Sequence, residues 1–182
     1  MDFRVLKSLL SAIETAKDDI KKIGGGQALR DKKYGVEHHF QWRTMFHLEP
    51  LLSNSYFQSP EVKFIPKRRE QYDLAVYKNE IPLLIAEFKV TWFSELANEI
   101  HREYPKLIRF MQYLEKIIKT PPFFGLVFYQ QKKGYQRVDD FMAKKWENDL
   151  FSANQHLLPY YFEFIVDEKE NKIIPYPSTL FS

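Results

Sequence analysis

Apolar residues recur along this chain at two spacings, one helical and one extended, and the two alternate. From Phe3 to Ile23, Phe3, Leu6, Leu9, Leu10, Ile13 and Ile20 fall near helical spacing with Lys and Asp between them, which predicts an amphipathic helix. Gly24-Gly25-Gly26 ends it. No Gly-Lys-Ser/Thr follows and no strand precedes, so the triplet reads as a hinge, not a phosphate loop. A second helix is predicted over Tyr34 to Leu52, and Ser53 to Pro60 reads as a loop. Val62 to Pro66 is a short candidate strand. Tyr72 to Tyr77 and Leu83 to Val90 read as strands joined across Lys78-Asn79-Glu80 by a hairpin. The second is apolar on both faces until Glu87, as a central strand should be.

Trp92 to Lys119 is a long helical pattern with Trp92, Leu96, Ile100, Tyr104, Leu107, Met111, Leu114 and Ile118 on its inner stripe. Pro105 is expected to kink or divide it, and Pro121-Pro122 to terminate it. Phe123 to Tyr129 reads as a buried strand, and Val138 to Phe151 as a helix with Asp139 and Asp140 in its first turn. Tyr160 to Val166 is a late strand that turns over Asp167 to Asn171 into Lys172 to Ile174. No internal repeat or low-complexity segment interrupts this order. Helices, a hairpin, a long helix and a buried strand predict an α/β fold, an α/β/α sandwich around a central mixed β-sheet.

A chain of 182 residues is most simply one domain, and 45% hydrophobic content with 16 Phe and 11 Tyr supports a packed core. There is no cysteine, which excludes disulfides, thiolate nucleophiles and cysteine zinc sites. The start, Met1-Asp2-Phe3-Arg4, lacks the basic-then-apolar pattern of a signal peptide, and no apolar run nears the roughly 20 residues that span a bilayer. The expectation is a soluble cytoplasmic protein. The net charge of +3, from 27 basic and 24 acidic residues, does not by itself point to nucleic acid.

Three charges break the apolar strands. Asp73 lies in the first, and Glu87 and Lys89 lie near the end of the second. A hairpin at Lys78-Asn79-Glu80 brings Asp73 opposite or diagonal to Glu87, and Glu87 and Lys89, two apart, share one face. Charges gathered on a sheet are costly unless they pair or hold a metal. A plain salt bridge is the bland alternative, but it leaves one carboxylate over, and desolvation offsets its Coulomb gain.

The pattern Asp73, thirteen intervening residues, then Glu87-Phe88-Lys89 resembles the PD-(D/E)XK nuclease superfamily, with Tyr72 where that family often has proline. The resemblance covers Tyr34 to about Tyr129. It implies a restriction-endonuclease-like core and a single nuclease domain, with a helix and glycine hinge over 1–26, a catalytic core over 34–130 and a C-terminal extension over 131–182. Within it, Val138 to Ser182 is read as a recognition or dimerisation element, or as the sheet's remaining edge. The resemblance also implies Mg²⁺ or Mn²⁺ held by Asp73, Glu87, the main-chain carbonyl of Phe88 and Glu37 on the preceding helix, with Glu49 as the alternative to Glu37. Lys89 would orient or help deprotonate the attacking water. The implied activity is hydrolysis of phosphodiester bonds in DNA by an endonuclease of restriction, repair or defence type, with a homodimer as one arrangement for cutting two strands. A non-catalytic nucleic-acid-binding or scaffold module with the same fold, and an RNase, are the alternatives.

Basic residues cluster twice. Lys63, Lys67, Arg68 and Arg69 precede the Asp73 strand, and Arg102, Lys106, Arg109, Tyr113 and Lys116 recur three or four apart on the long helix, with Gln112 beside them. Phosphates could lie along such a stripe, and a solvated helix face is the equal alternative. Tyr34, Trp42 and Trp92 are available to stack on bases, although most such aromatics belong to a core. His38 and His39 are adjacent and point about 100° apart on a helix, so they cannot clamp one metal. His47 and His101 show no partners in sequence.

Overall fold

The computed structural model describes residues 3–26, 35–63, 71–91, 93–118, 121–130, 154–168 and 170–176. Helix α1 (Phe3–Lys22) is followed by α2 (Val36–Leu48), which runs into a 3₁₀ turn at Glu49–Leu51. Strands β1 (Tyr56–Val62), β2 (Tyr72–Lys78) and β3 (Ile81–Thr91) come next, then helix α3 (Phe93–Leu114) and β4 (Phe123–Gln130). A 3₁₀ turn at Gln155–Tyr160 leads into β5 (Tyr161–Asp167) and β6 (Lys172–Tyr176). The six strands form one mixed sheet in chain order: β3, β4 and β5 are parallel, and the pairs β1–β2, β2–β3 and β5–β6 are antiparallel. No helix among the described residues is long and apolar enough to cross a membrane.

Side chains alternate across the strands, so each strand feeds two cores. On one face, Leu84, Ala86 and Phe88 of β3 with Val127 of β4 and Phe164 of β5 pack under α1 and α2. α1 contributes Val5, Leu6, Leu9, Ala12, Ile13, Ala16 and Ile20, a helical stripe that is wholly buried. On the other face, Ile85, Phe124, Leu126, Phe128 and Ile165 pack under Leu107, Ile108, Phe110, Met111 and Leu114 of α3. The described elements therefore form the expected α/β sandwich, with helices on both faces of a mixed sheet. β4 and β5 approach closely at Gly125, where a Cβ would run into the Phe162 carbonyl.

One expectation is overturned and one is narrowed. The predicted loop over Ser53 to Pro60 contains most of β1. As an edge strand, β1 is largely exposed or half-buried, carries no apolar alternation, and tolerates Pro60 because one side needs no ladder. Helix α3 is not divided at Pro105. The apolar stripe that follows Pro105 is buried on the sheet, which outweighs the roughly 3 kcal/mol that an internal proline costs. The predicted strand residues 64–66 and the predicted helix from Val138 to Phe151 lie outside the described residues.

The β2–β3 hairpin sets the geometry of the site. Lys78 pairs with Ile81 across the two-residue turn Asn79-Glu80, whose φ angles are 49° and 65°. Such positive angles match the turn's twist to that of the strands. Continued unbroken, this register would put Asp73 against Ala86. Instead Tyr77 pairs with Pro82 and Val76 with Leu84, so Leu83 is an extra residue in β3. Beyond that bulge the register runs to Leu74 with Ala86. The next position on each strand is Asp73 and Glu87.

Candidate active site

Asp73 is absent from both ladders of its own strand. β1 pairs with Leu74 and Tyr72 but skips Asp73, where the opposing Glu61 adopts a φ of 51°. β2 and β3 part after Leu74 and Ala86. Side chains take over the backbone groups that this parting exposes, as buried polar groups require. The Phe88 amide donates to Asp73 Oδ2 at 2.7 Å, and the Val90 amide donates to Glu37 Oε2 of α2 at 3.1 Å. The Asp73 carbonyl accepts from Gln41 Nε2, also of α2, at 2.7 Å. A strand residue projects its C=O to the same side as its N–H, so the Phe88 carbonyl faces this gap too.

Lys89 joins the acids. Its Nζ lies 2.8 Å from Glu87 Oε1, 3.5 Å from Glu37 Oε1 and 3.9 Å from Asp73 Oδ2. Burial pulls the Lys89 ammonium down, but Glu87, Glu37 and Asp73 outweigh it and hold Lys89 firmly protonated. Burial and the charge of Glu87 push the Asp73 carboxyl up to about 6, against the pull of the Phe88 amide and Lys89. Glu87 is buried, and its Oε2 has no hydrogen-bond partner among the described residues. The Asp73 and Glu37 side chains are 24% and 44% exposed, so the cluster is open to solvent on their side. The trio and Glu37 are thus brought together, whereas Glu49 is placed in the 3₁₀ turn after α2.

A second ammonium closes the opposite side. Lys106 Nζ of α3 lies 3.1 Å from Glu87 Oε1 and 2.9 Å from Glu103 Oε2, and Arg102 Nε donates to Glu103 Oε1 at 3.0 Å. Burial opposes the Lys106 charge, but Glu87 and Glu103 keep its pKa raised. Burial also raises Glu103, and its bonds to Lys106 and Arg102 more than reverse that and hold it low. Lys106 therefore belongs to the acid cluster and not to a solvated stripe. Arg102 and Arg109 are exposed on α3 and Lys116 in the turn beyond it, and Gln112 Nε2 donates to Asn154 Oδ1 at 2.9 Å. Lys67, Arg68 and Arg69 lie outside the described residues, as do Tyr34 and Trp92.

The sequence passed over two members of this network, Gln41 and Glu103. Gln41 stands four residues after Glu37 and Glu103 three before Lys106, spacings that share a helix face and carry the only sequence signal for them. His47 does have a partner, Asp19 Oδ2 at 2.7 Å, on a helix that sequence spacing could not align with α2. His38 Nε2 accepts from Trp42 Nε1 at 2.8 Å. Trp42 is not core: it is 53% exposed, and Phe46 beside it 65%.

Among the described residues no group of three or more His, Asp or Glu side chains comes together as a metal cage. The donors at the gap are two neighbouring carboxylates and one carbonyl, a hard-oxygen set of the kind that takes a cation retaining several waters. Compared with family models, curated proteins and solved structures, the chain matches none.

Proposed function

We propose that the chain is a metal-dependent nuclease hydrolysing phosphodiester bonds in DNA, an endonuclease with a restriction-endonuclease-like core of the PD-(D/E)XK kind. One observation carries the reading. Asp73 and Glu87 lie side by side at the parted end of the central hairpin, with a buried Glu87 oxygen that no described residue satisfies. Structural ion pairs rarely leave such an atom, because an unmet buried acceptor costs about 1–3 kcal/mol.

The residues fit a hard divalent cation such as Mg²⁺ or Mn²⁺. Asp73, Glu87 through Oε2 and the Phe88 carbonyl would hold it, with Glu37 directly or through water. Such a cation acidifies its water and offsets charge on the phosphate. Lys89, held protonated by Glu87, Glu37 and Asp73, would orient the attacking water or help deprotonate it, and would donate to the phosphate. Lys106 holds Glu87 Oε1 and so leaves Oε2 to the cation side. Exposed Arg102 and Arg109 supply cations beside the cluster for the backbone of the nucleic acid.

A non-catalytic module with this fold is the second reading. It draws on the two ammoniums that crowd one Glu87 oxygen at 2.8 Å and 3.1 Å, as in a closed ion-pair network. Cleavage assays separate the two. Supercoiled, linear and single-stranded DNA and RNA are incubated with Mg²⁺ or Mn²⁺, and with EDTA. Cleavage is expected with metal only, and Asp73→Ala, Glu87→Ala and Lys89→Ala should each abolish it while keeping the far-UV spectrum of the parent. Inertness toward every substrate with both metals leaves the binding module, and cleavage confined to RNA leaves the RNase.

A further inference from the structure

We infer that Gln41 is a positioning residue for Asp73: its side-chain amide replaces a missing ladder bond and so aims the Asp73 carboxylate at the Phe88 amide and into the gap. Strand residues are ordinarily fixed by neighbouring strands. Asp73 pairs with neither, because β1 skips it and β3 has already parted from β2. Among the described residues it is held by Gln41 Nε2 on its carbonyl at 2.7 Å and by the Phe88 amide on Oδ2 at 2.7 Å, with Lys89 further off at 3.9 Å.

Gln41 is itself immobilised. It is 4% exposed, on a helix whose Phe40 packs its ring against Phe88 and Tyr129 at 5.8 Å and 5.1 Å. Glu37, one turn earlier on the same helix face, holds the Val90 amide. α2 therefore secures the gap twice, once on each strand. A buried glutamine would be a poor choice for filling space alone, since a polar group without a partner costs stability there. Its chemistry is needed for a donor, and the acceptor it meets belongs to one specific residue.

The role of Gln41 in orienting Asp73 stands on geometry alone, and its consequence for a cation rests on the nuclease reading above. The test uses the full chain, with Gln41→Leu and, in case that variant is unstable, Gln41→Met as a longer apolar replacement. Two readouts are taken. In ¹⁵N-labelled protein, the Phe88 amide proton should lose the downfield shift that a carboxylate acceptor confers, while amides of β4 and β5 stay in place. Binding of Mn²⁺ followed by calorimetry should weaken about 10- to 100-fold, as for supports of metal ligands generally. In the parent, the Gln41 side-chain NH₂ should exchange slowly with solvent, a measurement that needs no variant.

An unchanged Phe88 amide in a folded variant, or a rapidly exchanging Gln41 NH₂ in the parent, overturns the inference. A parent that binds no Mn²⁺ while its Phe88 amide still shifts on Gln41→Leu leaves the positioning role intact and removes the nuclease reading. A shifted amide with unaltered Mn²⁺ affinity overturns the link from Gln41 to the cation.

Discussion

Replacing Asp73 with Asn separates a site kept for chemistry from one kept for stability. Burial and Glu87 raise the Asp73 carboxyl from an ordinary 3.8 to about 6. The folded chain then holds this proton more tightly than the unfolded chain does. Below 3.8 both states are protonated and the residue is near neutral for stability. As pH rises from 3.8 through about 6, the unfolded state ionises first and stability is lost; above that range the loss is complete. About two units at roughly 1.4 kcal/mol each put the loss on the order of 3 kcal/mol. Asn does not titrate, and its side-chain oxygen can still accept from the Phe88 amide. In chelator-treated protein, urea unfolding should therefore show Asp73→Asn more stable than the parent by about 3 kcal/mol at pH 8, with no difference near pH 3.5. Added Mg²⁺ should stabilise the parent and leave the variant unmoved. If Asp73→Asn is instead less stable at pH 8, the carboxylate is a structural partner of Lys89 and the argument for a functional site fails.

Glu163, fully buried on β5 and accepting from the Tyr161 hydroxyl, is raised from 4.5 to about 8 by burial. By the same sign, its cost grows between those values, so Glu163→Gln should flatten the fall in stability from pH 5 to pH 9 by on the order of 5 kcal/mol in urea titrations. Gly125→Ala should lower stability by about 1–3 kcal/mol, read from the urea midpoint, because the added methyl meets the Phe162 backbone. Lys106→Met should destabilise by about 3 kcal/mol near neutral pH. That deficit should shrink in acid, because Glu103 is held below its ordinary 4.5 and its stabilising charge disappears as pH falls through the lowered value. Arg68→Ala with Arg69→Ala should make the salt dependence of DNA binding shallower by about 2 in log–log slope, measured by fluorescence anisotropy; an identical slope removes both from the interface.

Where burial dictated the pattern, the elements were legible. The stripe of α1, the apolar runs of β3 and β4 and the inner face of α3 stand in the sequence because each must meet a core. β1 was not legible, since an exposed edge strand owes its place to backbone pairing with β2 and little to its own side chains. Asp73, Glu87 and Lys89 were conspicuous as charges inside apolar strands. Their neighbours Gln41 and Glu103 were not, and Lys106 stood out only as part of a cationic stripe, because a polar residue on a helix looks alike whether it faces water or a sheet. The bulge at Leu83 was hidden as well: hydrophobic identity does not reveal which residue of β3 goes unpaired, yet that residue decides whether Asp73 meets Glu87 or Ala86.

The release of Asp73 from both ladders has a dynamic corollary. A ladder residue is freed only by melting its strand, but the Asp73 carboxylate needs only its bond to the Phe88 amide to break, worth about 1.5–3 kcal/mol net, while Gln41 keeps its hold on the Asp73 carbonyl. The gap can therefore breathe while the sheet stays whole, and Phe88 should exchange its amide hydrogen through a low-energy excursion that leaves Val127 and Phe164 protected up to global unfolding.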